Sequence, residues 1–308
     1  MYDFIIIGGG PAGISAAVCA VSRGLRVLVL EQEKIGGVIG KVSIVSHYTA
    51  IVEGETGETF AARMKKQALD AGVQISYETV VEVQLTGKTK IVKTNSDVYE
   101  SHAVLLANGT TPRTLGIPGE DTLTGKGYAL NAAKSAQAYA GKHVYVVGGA
   151  DGAIKEALYL SRFAKKVFII HFEDKLGAIP EFTNKLAQLG NVELLLHSRL
   201  TEIGGKGQVE WLQLTDEKTG VTTKIEDEGC GIFVYAGATP NTQLYPELHL
   251  ENGYIPVNEK METMYQGVYA AGDICVKQVR QAATAVADGA VAAYMAEEYI
   301  QLQTAETE

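Results

Sequence analysis

Cysteine is scarce in this chain. Three occur in 308 residues, Cys19, Cys230 and Cys275, and no two form a C-x-x-C. Such scattered thiols exclude a disulfide scaffold, and neither a redox dithiol motif nor a zinc site can be read. No metal site is expected. No apolar run approaches the ~20 residues of a membrane span. Basic residues are outnumbered, and the net charge of −9 argues against nucleic-acid or anionic-membrane binding. It also disfavours an acidic protein partner unless a basic patch exists locally. No signal peptide is expected, because Met1 leads straight into an apolar strand pattern. The chain therefore reads as cytoplasmic.

What is present is ordinary for a globular protein, with 46% hydrophobic and 20% charged residues, and the length suggests about two domains. The most informative stretch is the first. Phe4–Ile7 is an apolar run suited to a buried parallel strand. Gly8, Gly10 and Gly13 form G-x-G-x-x-G, with Pro11 and Ala12 between the last two. A helix is expected over Ala12–Val21, then a strand over Arg26–Leu30 with Glu31 at its tip. This is a dinucleotide-binding βαβ unit. Gly8 permits the tight turn, Gly10 admits a pyrophosphate and Gly13 lets helix and strand pack closely. Glu31 is placed to accept hydrogen bonds from a ribose. Gly36, Gly37 and Gly40 suit backbone passing a flat ligand, or form a simple loop.

Further along, Thr56–Ala71 reads as a helix with Phe60, Met64 and Leu69 inward. Strands are expected at Gln74–Glu78, Val80–Leu85, Lys90–Thr94 and Val98–Glu100. Another runs from Ala103 into the turn Ala107-Asn108-Gly109. Thr110–Arg113 with Gly116–Gly119, and later Ala238–Thr242, read as linkers. Between them lies a second βαβ pattern: His143–Val147, Gly148-Gly149-Ala150, a helix with Ile154, Ala157, Leu158 and Ser161 on one face, and Val167–Ile170. Strands Val192–Leu196, Val209–Leu214, Val221–Ile225 and Ile232–Tyr235 follow. Near the end, Gly267–Asp273 reads as a strand ending in an acid, before a long helix over about Arg280–Leu302. His102, His143 and His197 lie beside strands and read as structural, as does Cys275.

With these motifs the chain resembles the low-molecular-weight thioredoxin reductases over almost its whole length. The residues carrying the resemblance are Gly8–Gly13, Gly36-Gly37, Gly116-Ile117-Pro118-Gly119-Glu120 and Glu156–Leu160. Pro240-Asn241-Thr242, Glu251–Ile255, Met261-Glu262-Thr263, Ala270–Asp273 and Arg280-Gln281-Ala282 continue it. The resemblance implies an α/β fold of two Rossmann-like, three-layer ββα nucleotide-binding domains. An FAD domain would comprise 1–112 and 243–308, with a pyridine-nucleotide-like domain, 113–242, inserted. It further implies that Gly8, Gly10, Pro11, Ala12, Gly13, Glu31, Gln32, Gly36, Gly37, Val38, Ala107, Asn108, Gly109, Gly272 and Asp273 bind FAD. Asp273 would bond the ribityl chain, and Arg280, Gln281 and Ala282 would lie near the isoalloxazine ring. A homodimer is implied as well.

Three departures qualify the resemblance. The two positions of the family's C-x-x-C hold Asn131 and Lys134, separated by Ala132-Ala133, and thiol–disulfide exchange needs a thiolate. No catalytic residue is therefore assigned with certainty. Lys134 could stabilise a reduced flavin, or stand as a solvated lysine in a helix over Asn131–Tyr139. In the second glycine turn, Ala150 adds a Cβ where a pyrophosphate should approach. Finally, Phe172 and Glu173 replace the arginines that hold the 2′-phosphate of NADPH, and His171 occupies the strand-tip place that Glu31 fills in the first unit. NADPH is thus not expected to bind tightly, and NADH only weakly. The expected function is an FAD-dependent electron-transfer oxidoreductase without a dithiol. Because some family members that use ferredoxin also lack these arginines, a ferredoxin-like donor is inferred, although those members keep the two cysteines. An NAD(P)H-dependent flavin or ferredoxin reductase is the alternative; a flavin-binding sensor or interaction protein with little turnover is another.

Overall fold

The computed structural model describes residues 1–305. The chain opens with β1 (Tyr2–Ile7), α1 (Pro11–Ser22) and β2 (Val27–Glu31). Then come α2 (Gly57–Asp70), β3 (Gln74–Tyr77), β4 (Val80–Gln84), β5 (Lys90–Thr94) and β6 (Val98–Leu106). A short β7 (Thr110–Pro112) leads to α3 (Glu120–Leu123), α4 (Ala132–Ser135), β8 (His143–Val147) and α5 (Asp151–Leu160). Next are β9 (Lys166–Ile170), α6 (Pro180–Ala187), β10 (Val192–Leu195), β11 (Ser198–Gly204), β12 (Trp211–Asp216) and β13 (Thr222–Glu226). The chain continues through β14 (Gly231–Val234), β15 (Ala238–Pro240), β16 (Val268–Ala270) and α7 (Ala282–Ala305).

Two compact units result. One joins Met1–Thr111 to the chain from Thr239 onward, and the other is the continuous span Pro112–Ala238. In the first, the sheet runs β3-β2-β1-β6-β5-β4, with β16 also on β6. Strands β3, β2, β1, β6 and β16 are parallel, whereas β4 and β5 form an antiparallel hairpin beside β6. Alternate side chains enter different cores, as the strand period demands. Phe4, Ile6, Val27, Val29, Ala103 and Leu105 face α1 and α7, while Ile5, Ile7, Leu28, Leu30, Val104 and Leu106 face Tyr245, Leu248 and Ile255. Helices α1 and α7 meet through small residues. A Cβ on Gly289 would lie 2.0 Å from the Ala12 carbonyl oxygen, so only glycine permits that approach.

In the second unit a parallel sheet β10-β9-β8-β14 lies between helices and the antiparallel meander β11-β12-β13. Val144, Val146, Val167 and Ile169 pack on α5 and α6, and Tyr145, Val147, Ile170 and Ile232 pack on Leu200, Ile203, Leu212 and Leu214. This is the three-layer α/β architecture expected. Among the described residues, no helix is long and apolar enough to cross a membrane.

Several sequence expectations need correction. Val98–Glu100 and the run from Ala103 are one strand, because β6 changes partners midway. Its first half pairs with β5 and its second half with β16. The expected linkers Thr110–Arg113 and Ala238–Thr242 contain β7 and β15, which pair with each other. Strand β11 escaped notice because a bulge between Leu200 and Glu202 shifts its alternation. Val209 lies before β12 rather than in it. The expected helix Asn131–Tyr139 divides into α4 and a 3₁₀ turn, Ala136–Tyr139, where Tyr139 packs edge-on against Phe233 at 6.1 Å. On α2, Leu69 is exposed, and Phe60, Ala61 and Ala68 form the buried face. Helices α3 and α6 carry too few apolar residues to stand out in the sequence.

Candidate functional site

The first glycine turn stands at the C-terminal ends of β1, β2, β6 and β16, where ligands of parallel sheets bind. Gly8 has φ +109°, and a Cβ there would sit 2.5 Å from the Ala107 carbonyl oxygen. At Gly13 a Cβ would come within 1.9 Å of the Gly8 carbonyl oxygen. Around Gly10 the space is open, with nothing within 4 Å of a built Cβ. Gly10 is also the N-cap of α1, and no side chain caps it. Pro11, at the first helical position, has no N–H to offer, and the N–H groups that follow it, beginning with Ala12, therefore form an anion-receptive end.

Glu31, the last residue of β2, is fixed against this turn. Its Oε2 accepts from Gly9 N at 2.8 Å and its Oε1 from Glu33 N at 2.9 Å. Gln32 beyond it is exposed. Gly36 N donates to Gly9 O at 2.9 Å. Gly37, with φ +56°, would carry a Cβ only 3.4 Å from Gly10 Cα, so this loop brushes the turn. Val38 is exposed. Ala107 N donates to Ile7 O. Asn108 holds its own surroundings, since its Nδ2 donates to Asn241 O at 2.8 Å and its Oδ1 accepts from Tyr245 Oη at 2.8 Å. Gly109 accepts from Asn241 N.

Asp273 is not at a strand tip. Strand β16 ends at Ala270, and Gly272–Ile274 form a 3₁₀ turn. Gly272, with φ +83°, lays this turn on α1, where a Cβ would be 3.1 Å from Ala12 Cβ. Asp273 Oδ1 is buried with no hydrogen-bond partner among the described residues. Burial pushes its pKa up, against the opposing pull of Lys277 and Arg280. An orphaned acceptor beside an open glycine turn fits a ligand that brings hydroxyl donors, such as the sugar and ribityl parts of FAD. Asp288, which the sequence reading missed, anchors the turn: its Oδ2 accepts from Gly272 N at 2.9 Å and pairs with Lys277. Arg280 lies over the Tyr254 ring at 4.2 Å and donates to Cys275 O. Gln281 N donates to Thr284 Oγ1, and Ala282 begins α7.

The second unit repeats the turn with different fittings. Gly148, φ +132°, would set a Cβ 2.5 Å from the Tyr235 carbonyl oxygen, and Gly177 N donates to Gly149 O at 3.0 Å. The counterpart of Gly10 is Ala150, the N-cap of α5. Asp151 follows as the first helical residue, and its Oδ1 accepts from Ile179 N at 2.9 Å. A carboxylate thus already occupies the positive end of this helix. The sequence reading passed over Asp151; its place immediately after Gly-Gly-Ala is the signal that reveals it. His171 replaces the strand-tip acid, and its ring lies 2.6 Å from a Cβ built on Gly149. Its Nε2 lies 3.2 Å from Glu173 Oε2. Phe172 projects outward under Arg199, 4.8 Å away. Asp174 is held by His197 at 3.0 Å and Lys218 at 2.9 Å.

Asn131 caps α4, accepting from Lys134 N at 3.1 Å, and the Lys134 side chain is exposed. The three cysteines are free thiols. Burial pushes both Cys230 and Cys275 up to about 12, which keeps them protonated and unreactive at neutral pH. Among the described residues no cluster suits a metal ion.

Comparison with known proteins agrees with this fold. The pyridine nucleotide-disulphide oxidoreductase family model matches residues 2–289. The chain is 39% identical over 307 residues to a thioredoxin reductase of Peptoclostridium acidaminophilum, covering 98% of both chains. The crystal structure of Lactococcus lactis thioredoxin reductase superposes with a TM-score of 0.93 at 30% identity, covering 97% of this chain and 99% of that one. A ferredoxin-flavin thioredoxin reductase from Clostridium acetobutylicum is 33% identical, covers 98% of each chain and gives a TM-score of 0.53. The chain therefore belongs to the pyridine nucleotide-disulphide oxidoreductase family, as an FAD-dependent oxidoreductase of the thioredoxin reductase-like flavoproteins.

Proposed function

We propose that this flavoprotein transfers electrons through FAD alone, without a protein dithiol and without tight use of NADPH, and that a ferredoxin-like protein is its donor. The carrying observation is the pair Asn131 and Lys134 at the dithiol positions. Asn131 serves as a helix cap, and neither side chain can form a disulfide. Phe172 and Glu173 in place of phosphate-binding arginines, and Asp151 at the start of α5, support the loss of tight NADPH binding, because carboxylates near the helix end repel a phosphate. The likeness to a clostridial ferredoxin-flavin thioredoxin reductase supports the donor.

FAD would supply the redox chemistry. In this reading the backbone N–H groups of Gly10, Ala12 and Gly13 take its pyrophosphate, Pro11, which has no N–H, fixes the first turn of the helix, and Gly8 closes the turn beneath. Glu31 and Gln32 take the adenosine ribose. Gly36, Gly37, Val38, Ala107, Asn108 and Gly109 flank the cofactor, Gly272 and Asp273 take the ribityl hydroxyls, and Arg280, Gln281 and Ala282 border the ring. The chain acts as a homodimer in keeping with the resemblance.

An anaerobic titration tests the reading. Reduced ferredoxin should bleach the flavin absorbance rapidly, while micromolar NADPH should leave it unchanged. Bleaching by micromolar NADPH would refute the proposal. So would slow or absent reduction by ferredoxin.

A further inference from the structure

A pocket of the first unit lies far along the sheet from the glycine turn. Lys90, the first residue of β5, pairs across the ladder with Ser101, which itself pairs with Tyr2 at the start of β1. The FAD turn begins at the other end of β1. The pocket has a volume of about 620 Å³ and is walled by Lys88, Lys90, Tyr265, Gln266, Tyr299 and Gln303.

Lys90 is the unusual member. It is only 2% exposed. Its Nζ donates to the Gly87 carbonyl oxygen at 2.5 Å, and no carboxylate among the described residues forms an ion pair with it. An ammonium carries three donors, so one carbonyl satisfies a third of them. Buried charges are ordinarily paired, and an uncompensated one is costly. Burial accordingly lowers the pKa of this lysine. The wall around it adds the ammonium of Lys88 and the side-chain amide of Gln266, both able to donate to oxygen.

We propose that this pocket is a binding site for a small oxyanion, a carboxylate or phosphoryl group, which serves as the counter-ion of Lys90. It stands apart from the FAD reading and does not depend on it.

The test uses the full-length protein saturated with FAD, so that the glycine turn is filled. Inorganic phosphate and, separately, malonate are titrated by calorimetry, and thermal midpoints are recorded with each. Saturable binding at one site per chain is expected, together with a raised midpoint. Lys90→Met, which keeps the length and removes the charge, should weaken binding at least about tenfold. It should also raise the midpoint of the protein without added anion and abolish the anion-induced rise. Binding of phosphate alone would mark a phosphoryl ligand, and binding of malonate alone a carboxylate. Absence of saturable binding of both probes, or equal binding by wild type and Lys90→Met, would overturn the proposal. If Lys90→Met does not fold by circular dichroism, Lys90→Gln is read by the same criteria.

Discussion

Replacing Asp273 by asparagine should have opposite effects on the protein with and without FAD. Without the cofactor, Asp273 Oδ1 is a buried acceptor lacking a donor. Burial raises its pKa, so folding disfavours the charged form. The sign follows. A carboxyl raised above its ordinary value of 3.8 leaves the folded state fully stable below that value, and stability is lost as pH rises through the folded pKa. At neutral pH the apoprotein therefore carries a penalty, which Asp273→Asn should relieve as a higher thermal midpoint. With FAD, hydroxyl donors would reach the carboxylate and reverse the balance. A hydrogen bond to a charged acceptor contributes about 1.5–3 kcal/mol, so Asp273→Asn should weaken FAD binding by roughly ten- to a hundredfold. Flavin fluorescence titration of apoprotein measures the affinity, and differential scanning calorimetry the stability. Unchanged FAD affinity would refute the reasoning, as would an apoprotein destabilised by the substitution.

Two further perturbations probe the scaffold. Gly289→Ala places a Cβ 2.0 Å from the Ala12 carbonyl oxygen; forcing α1 and α7 apart should cost about 1–3 kcal/mol in urea unfolding and loosen FAD. Glu120 is buried and accepts from Leu115 N at 3.0 Å, Gly116 N at 2.6 Å and Tyr128 Oη at 2.7 Å. Burial pushes its pKa up, but these bonds outweigh burial and hold it below the ordinary 4.5. Its contribution should be present above that value and fade as pH falls through the lowered pKa. Glu120→Ala should cost about 3 kcal/mol at neutral pH and flatten that acid limb in pH-dependent unfolding.

The parts legible in the sequence were those with a short local code. Gly8, Gly10, Gly13 and Glu31 announce the turn because each demand, a positive φ, a close approach or an acceptor at a strand tip, is met within one βαβ unit. The second turn was legible by the same code, and its altered fittings at Ala150 and His171 showed equally well. Features set by distant contacts were hidden. The single strand β6 read as two because its edge changes partner from β5 to β16. Strand β11 vanished behind its bulge. Asp288, which anchors the Asp273 turn, looked like one more charge on a long helix. Lys90 looked like an ordinary strand lysine, since nothing nearby in sequence reveals that its side chain is buried.

The late arrival of β16 and α7 has a consequence for synthesis. Strand β6 can complete its upper edge, and α1 can cover its small-residue face, only after Val268 and Gly289 have left the ribosome. The continuous span Pro112–Ala238 meets all its partners sooner and can become compact first. During that interval the N-terminal βαβ segment holds its glycine turn with one wall missing and apolar α1 surface uncovered. Chaperone dependence during synthesis should therefore fall on the first unit, although its glycine turn is translated before the inserted span.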